Sequence, residues 1–348
     1  MLLIVAHHYV VNSGLTGSGG LLMSDNTSAN SIFLTLFGAW GKTGINCFLM
    51  ITGYFMCTST ITTRKFLKLL LQIYLYKLLL FPIFLAAGYE TLSLYRIVTW
   101  LMPFWGINEN FVGCFLVFYL TIPFWNILIK NMNNRQHLLL LALLLVCYTI
   151  LGSVPFFDVR FNYVTWFGII YLIASYIRLY PHPVFERKSL WGWMTLLSIV
   201  FAMASILGLR LLFGNRVGLG YIFVADCNKI FAVLIAFSSF LWFKNMNVRY
   251  SKTINAFGAA TFGVLLIHAN SNAMRQWLWK DTVDVIGHYQ TLTTGELMMF
   301  SAGVVLTIFI ICNLIDQLRI ATLEKWFFRW YDNKLSAKAD ALIQRFTK

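Results

Sequence analysis

LWGWMTLLSIVFAMASILGLRLLF, residues 190–213, holds one ionisable side chain, Arg210, in twenty-four positions. A helix rises about 1.5 Å per residue and the hydrocarbon core of a bilayer is about 30 Å thick, so about 20 apolar residues cross it. This stretch is long enough. Outward from it, further apolar runs fall at 1–13, 32–57, 66–88, 111–130, 137–156, 163–180, 221–243, 257–279 and 297–320. The pattern predicts an all-α, polytopic transmembrane helical bundle of about ten spans, the first truncated. It forms one domain over residues 1–320, followed by a charged, helix-prone cytoplasmic tail over 321–348. The mixed stretch from Leu94 to Trp105 is expected in the interface.

Composition agrees. Of 348 residues, 59% are hydrophobic and only 11% charged, with a mean hydropathy of +0.71. A soluble domain carries about a quarter charged residues, so most of this surface is not built for water. The net charge of +14 does not point to nucleic acid, because the basic residues sit in short clusters between apolar runs. There they fix topology. One set of alternate connectors, with the tail, holds eighteen Lys and Arg, among them Arg64, Lys65, Lys68, Arg187 and Lys188. The other set holds seven: Arg96, Arg160, Arg210, Arg216, Lys229, Arg275 and Lys280. The bias predicts a multi-pass membrane protein with both termini in the cytoplasm. The six cysteines are scattered and have neither disulfide nor metal-site spacing, so they read as small hydrophobes and no metal site is expected. The chain opens inside an apolar helix without a charged flank, so no cleavable signal peptide is expected.

Strongly polar side chains within the apolar runs cost roughly 2.5–3.5 kcal/mol each on insertion scales and need a reason. They are His8, Lys42, Asn46, Lys77, Asp226, Asn228, His268, Asn270, Asn272 and Arg275. An isolated Asn reads first as a hydrogen bond between helices, and Lys77 as a side chain that snorkels. The histidines differ, because imidazole exchanges a proton near neutral pH. Two on different helices, beside a Lys and an Asn, could line a buried polar cavity with a general base in it. His7 points about 100° away from His8, so only one of the pair is expected to face such a cavity. His137, His182 and His288 fall in connectors and are expected at the surface. Catalysis, transport and helix glue all remain open on these residues alone.

At the same residues the sequence resembles the membrane-bound acyltransferase-3 family, bacterial enzymes that acylate surface carbohydrates. Ile4-Val5-Ala6-His7-His8 resembles the end of that family's first helix, where a catalytic His follows an Arg by eleven positions. Counting back from His8 lands before Met1, so extending the reading frame is expected to reveal a basic residue four positions upstream of Met1. If the chain starts at Met1, its first helix is too short to span the bilayer. Such an Arg would lie on the His8 face about 16 Å away, suited to donor phosphates at the cytoplasmic face. Gly41-Lys42-Thr43-Gly44-Ile45-Asn46 leading into Ile51-Thr52-Gly53-Tyr54 resembles the second-helix signature, with Thr52 where Ser is usual. Phe111 to Asn126 resembles the fourth-helix stretch without its usual Trp, and Trp166 to Tyr176 the sixth. Thr261 to His268 resembles the late signature, followed by Arg275 and Trp279, with Ala269 where an acidic residue is common.

The resemblance implies an O-acyltransferase that moves an acyl group, in the first instance acetyl, from acyl-CoA to a hydroxyl of a cell-surface polysaccharide. Acetyl-CoA would be a donor substrate, with no bound cofactor; lipids and a carbohydrate acceptor would be the partners. His8 is expected as general base and His268 as the residue that binds or orients donor or acceptor. Lys42, Asn46, Thr52 and Arg275 would line the pocket. The rival classes are a lipid-linked sugar flippase or other transporter, and a structural membrane subunit. Transporters often show internal repeats or paired broken helices, and none is read here.

Overall fold

The computed structural model of the protein describes residues 1–17, 19–25, 27–102, 104, 110–214 and 220–335. Among these, every regular element is helical: α1 (Leu2–Val11), a single turn at Leu21–Ser24, α2 (Ala29–Phe37), α3 (Gly41–Met56), α4 (Thr63–Ala86) and α5 (Leu94–Leu101). Next come α6 (Phe111–Asn131), α7 (Asn134–Leu144), α8 (Tyr163–Leu179), α9 (Lys188–Phe213) and α10 (Ile230–Lys244), α7 being extended through a π-turn to Ser153. The chain closes with α11 (Lys252–Ala259), α12 (Thr261–His268), α13 (Asn272–Arg275), α14 (Val285–Thr291), α15 (Thr294–Arg319) and α16 (Lys325–Lys334).

Among the described residues six helices are long and apolar enough to cross a membrane: Ala29–Met56 taken through its break, Thr63–Ala86, Phe111–Asn131, Asn134–Ser153, Lys188–Phe213 and Thr294–Lys334. Leu2–Val11, Tyr163–Leu179 and Ile230–Lys244 are shorter apolar helices. With the broken α11–α12 pair they account for the expected runs. The protein is thus an all-α, polytopic membrane protein.

Local chemistry starts these helices where the sequence allows. Asn110 caps α6 by accepting from the Val112 amide at 3.1 Å, and Asn162 caps α8 by accepting from Thr165 at 2.9 Å. Asn133 with Gln136 and Thr293 with Glu296 form capping boxes, each satisfying amides that a helix start leaves free.

Helix α8 forms the middle of the bundle. Its residues from Trp166 to Ser175 are all buried, against α3 on one side and α6 on another. By contrast α4, α9 and α15 expose Leu78, Ile83, Leu197, Phe201, Ile310 and Leu314. Apolar side chains facing outward all along a helix are what lipid requires.

A buried ionic knot joins α4, α12 and α15. Asp316 is fully buried; its Oδ1 accepts from Arg319 Nε at 2.6 Å, from Tyr76 at 2.7 Å and from Gln72 at 3.1 Å. Gly263 makes room for it, because a Cβ there would fall 2.1 Å from Asp316 Cγ.

Three expectations need correction. The run 221–243 is helical only from Ile230; residues 221–229 form turns, held by Asn228 Nδ2 on Tyr148 O at 2.8 Å and by Lys229 on Gly152 O. Asp226 therefore lies in a turn rather than a helix, half-buried with its side chain 41% exposed. The run 257–279 is interrupted at Ala269–Ser271, since Ser271 caps a new helix by accepting from Met274 at 3.1 Å. A second break falls at Gly38–Trp40. Broken helices are thus present. The charged tail continues α15 through a π-turn into α16, whose Phe328 and Tyr331 are buried; residues 336–348 lie outside the described residues, as do Trp105 and Arg216.

Candidate active site

A cavity of about 650 Å³ opens between α1, α3, α4, α5 and the broken segment 269–275. His8 lines it from α1, Lys42 from α3, Lys77 from α4 and Arg96 from α5; Tyr163 comes from the start of α8 and Arg275 from α13. Ile4, Ile45, Ile73, Leu265 and Leu266 supply the apolar part of the wall.

The close packing of α1 on α3 puts His8 there. A Cβ at Gly41 would stand 2.3 Å from His7 Cγ, so only glycine lets the two helices approach this far. His7 itself is committed. Its Nδ1 lies 2.6 Å from the carbonyl of Gly38, a group freed by the break between α2 and α3. Although the helical angle predicts that one of the two histidines faces away, both line the cavity; the break brings an acceptor round to His7.

His268 is fully buried at the C-terminal end of α12. Its Nδ1 is 2.5 Å from the carbonyl of Val264 and its Nε2 is 2.9 Å from His8 Nδ1. A carbonyl only accepts, so the network assigns the proton of neutral His268 to Nδ1. His268 Nε2 is then an acceptor, and His8 Nδ1 must donate to it. In neutral His8 the lone pair is left on Nε2. A chain runs from Val264 O through two imidazoles to a basic nitrogen on a residue that lines the cavity. Behind it Trp279, fully buried, packs edge-on to His268 with centroids 6.4 Å apart and to Tyr9 at 5.8 Å.

Lys42 lies 2.5 Å from the Tyr163 hydroxyl and 3.2 Å from Asp226 Oδ1. Arg96 pairs with Glu90 at 3.7 Å. Arg275 Nη1 donates to Asn272 Oδ1 at 3.3 Å, while its buried Nε has no hydrogen-bond partner among the described residues. Lys77 Nζ meets the carbonyls of Trp100 and Met102 at 3.4 and 3.5 Å.

The structure brings together His8, His268, Lys42 and Arg275. It places Asn46 and Thr52 elsewhere. Asn46 is fully buried between α3, α8 and α10; it donates to Cys227 O at 2.8 Å and accepts from Trp166 Nε1 at 2.9 Å. Thr52 turns its hydroxyl back to Phe48 O at 3.1 Å. His137 is buried, not exposed: α7 starts at Asn134, which carries His137 Nε2 to within 3.0 Å of Leu172 O on α8. Sequence reasoning missed Tyr163, Glu90 and Arg96, which lie at helix starts and connectors where polarity is unremarkable. Lys77 and Asp226 did carry a signal, as charges in apolar runs.

A protein-family model described as acyltransferase domain matches residues 1–315. No curated protein and no solved structure matches the chain.

Proposed function

We propose a reaction for this chain, which belongs to the acyltransferase-3 family and is a membrane acyltransferase: transfer of an acetyl group from acetyl-CoA to a hydroxyl of a surface polysaccharide or its precursor. The single observation that carries the reading is the Val264–His268–His8 chain on the cavity wall. His8 Nε2 takes the proton of the acceptor hydroxyl as its oxygen attacks the thioester carbonyl. The C–O bond forms, the C–S bond breaks, and the proton passes from His8 to the leaving thiolate. General-base assistance of this kind is worth about 10²–10⁴-fold. His268 holds the His8 ring and shares the positive charge that the imidazole acquires. Lys42 gives the cavity a positive potential that favours the tetrahedral oxyanion.

We further propose that the protein lies in a bacterial inner membrane with both termini in the cytoplasm. The support is the density of Lys and Arg around 59–68, 130–135, 178–188 and 244–252. The cavity then faces the opposite side through Glu90, Arg96 and Trp100.

The test is transfer of labelled acetyl from acetyl-CoA to carbohydrate by the purified protein, beside sugar uptake into vesicles holding it. Transfer without uptake is expected. Uptake without transfer would establish a transporter instead.

A further inference from the structure

The cavity is more positive than the chemistry at His8 requires. Lys42, Lys77, Arg96 and Arg275 line it, and among the described residues the carboxylates that answer them are Glu90 on Arg96 and Asp226 on Lys42. Two basic side chains, Lys77 and Arg275, have no carboxylate partner among the described residues. Among the described residues Lys77 Nζ has two contacts with carbonyl oxygens, at the edge of hydrogen-bonding range. Arg275 keeps a buried Nε–H without a hydrogen-bond partner among the described residues. An unmatched donor in a dry site costs free energy unless a ligand uses it.

Their location says which ligand. Lys77 is in the half of α4 that leads to Ala86, Arg96 is on α5, and Arg275 follows the break after His268. These stand at the end of the bundle away from the Lys- and Arg-rich connectors, where the topological bias disfavours positive charge. Cations kept there against that bias, around the catalytic cavity, suit the acceptor rather than the donor.

We propose that the acceptor is an anion: a sugar bearing a carboxylate or phosphate group, held by Lys77 and Arg275 with its hydroxyl presented to His8 Nε2. The guanidinium of Arg275 suits a planar carboxylate or a phosphate face, and Lys77 acts as a point charge beside it. The proposal rests on His8 as the base and on the Lys- and Arg-rich end facing the donor.

The test is equilibrium binding at fixed ionic strength by the purified full chain in lipid nanodiscs. The probes are a uronate-bearing oligosaccharide, the matching sugar phosphate and the matching neutral sugar. An anionic probe is expected to bind about ten-fold or more tighter than the neutral one; which of the two binds separates the carboxylate from the phosphate. Lys77→Gln and Arg275→Gln are expected to abolish that preference, and Lys77→Arg to keep it. Equal affinity for all three probes, or a preference that survives both Gln variants, overturns the proposal. So does displacement of the bound sugar by free CoA, which would assign the cations to the donor. Acyl transfer lost on His8→Ala is a separate readout, so failure of the acyltransferase reading and failure of the anionic acceptor are distinguishable.

Discussion

His8 Nδ1 lies 2.9 Å from His268 Nε2, across 260 positions of sequence. That contact joins the first helix to the last residue of α12 and makes one imidazole the support of the other. Because Val264 O fixes the tautomer of His268, the basic nitrogen of His8 is determined two residues away from where it acts.

His268→Gln therefore separates support from chemistry. Glutamine can still accept from His8 Nδ1 but cannot share its positive charge. Activity is expected to fall about ten-fold through kcat with KM little changed, a smaller loss than the general base itself carries. Steady-state kinetics with a saturating donor checks it; a change confined to KM would make His268 a binding residue.

Gly41→Val tests the approach of α1 to α3. A side chain would press into the His7 ring, whose Cγ is 2.3 Å from the site of a Cβ. Overpacking of this kind costs about 1–3 kcal/mol. Acyl transfer should fall further than the thermal midpoint does, because the displaced helix carries His8. A melting curve beside an activity assay reads both.

Asp316→Ala is the stability variant. It leaves Arg319 with Glu324 alone, at 2.7 Å, and strands the hydroxyl of Tyr76. Breaking a buried pair costs about 3–5 kcal/mol. A drop of several degrees in the melting midpoint in detergent is expected, and an unchanged midpoint would show the knot to be dispensable.

Asp25 sets an acid limit on the loop between α1 and α2. Burial acts to raise its pKa, but hydrogen bonds from Ser28, from Tyr289 at 2.5 Å and from the amides of Ser28 and Thr27 outweigh it and hold the carboxyl at about 2. A depressed carboxylate stabilises the fold above its unfolded pKa, and that contribution fades as pH falls toward the folded value. Between about pH 4 and 2 the melting midpoint should fall more steeply for wild type than for Asp25→Asn.

Much of this was legible in the sequence, for a physical reason. Lipid forces apolar runs to be long, so the helices announce themselves. An imidazole in such a run has a cost that must be explained, and that cost marked His8 and His268. The same argument also marked Asn46, yet its amide joins α3 to α8 through Trp166 and to α10 through Ala232 O, because a hydrogen bond between helices satisfies the cost equally well. The breaks at Gly38–Trp40 and Ala269–Ser271 were invisible, since hydropathy averages over three residues without trace. Tyr163 and Glu90 were missed because a polar residue at a helix start or in a connector costs nothing there.

The most direct test of the account is acyl transfer from acetyl-CoA by wild type, His8→Ala and His268→Ala, purified side by side and matched for folded protein by melting midpoint. The account predicts a loss of at least about 100-fold for His8→Ala and a clear loss for His268→Ala. Transfer at the wild-type rate in both variants would contradict it.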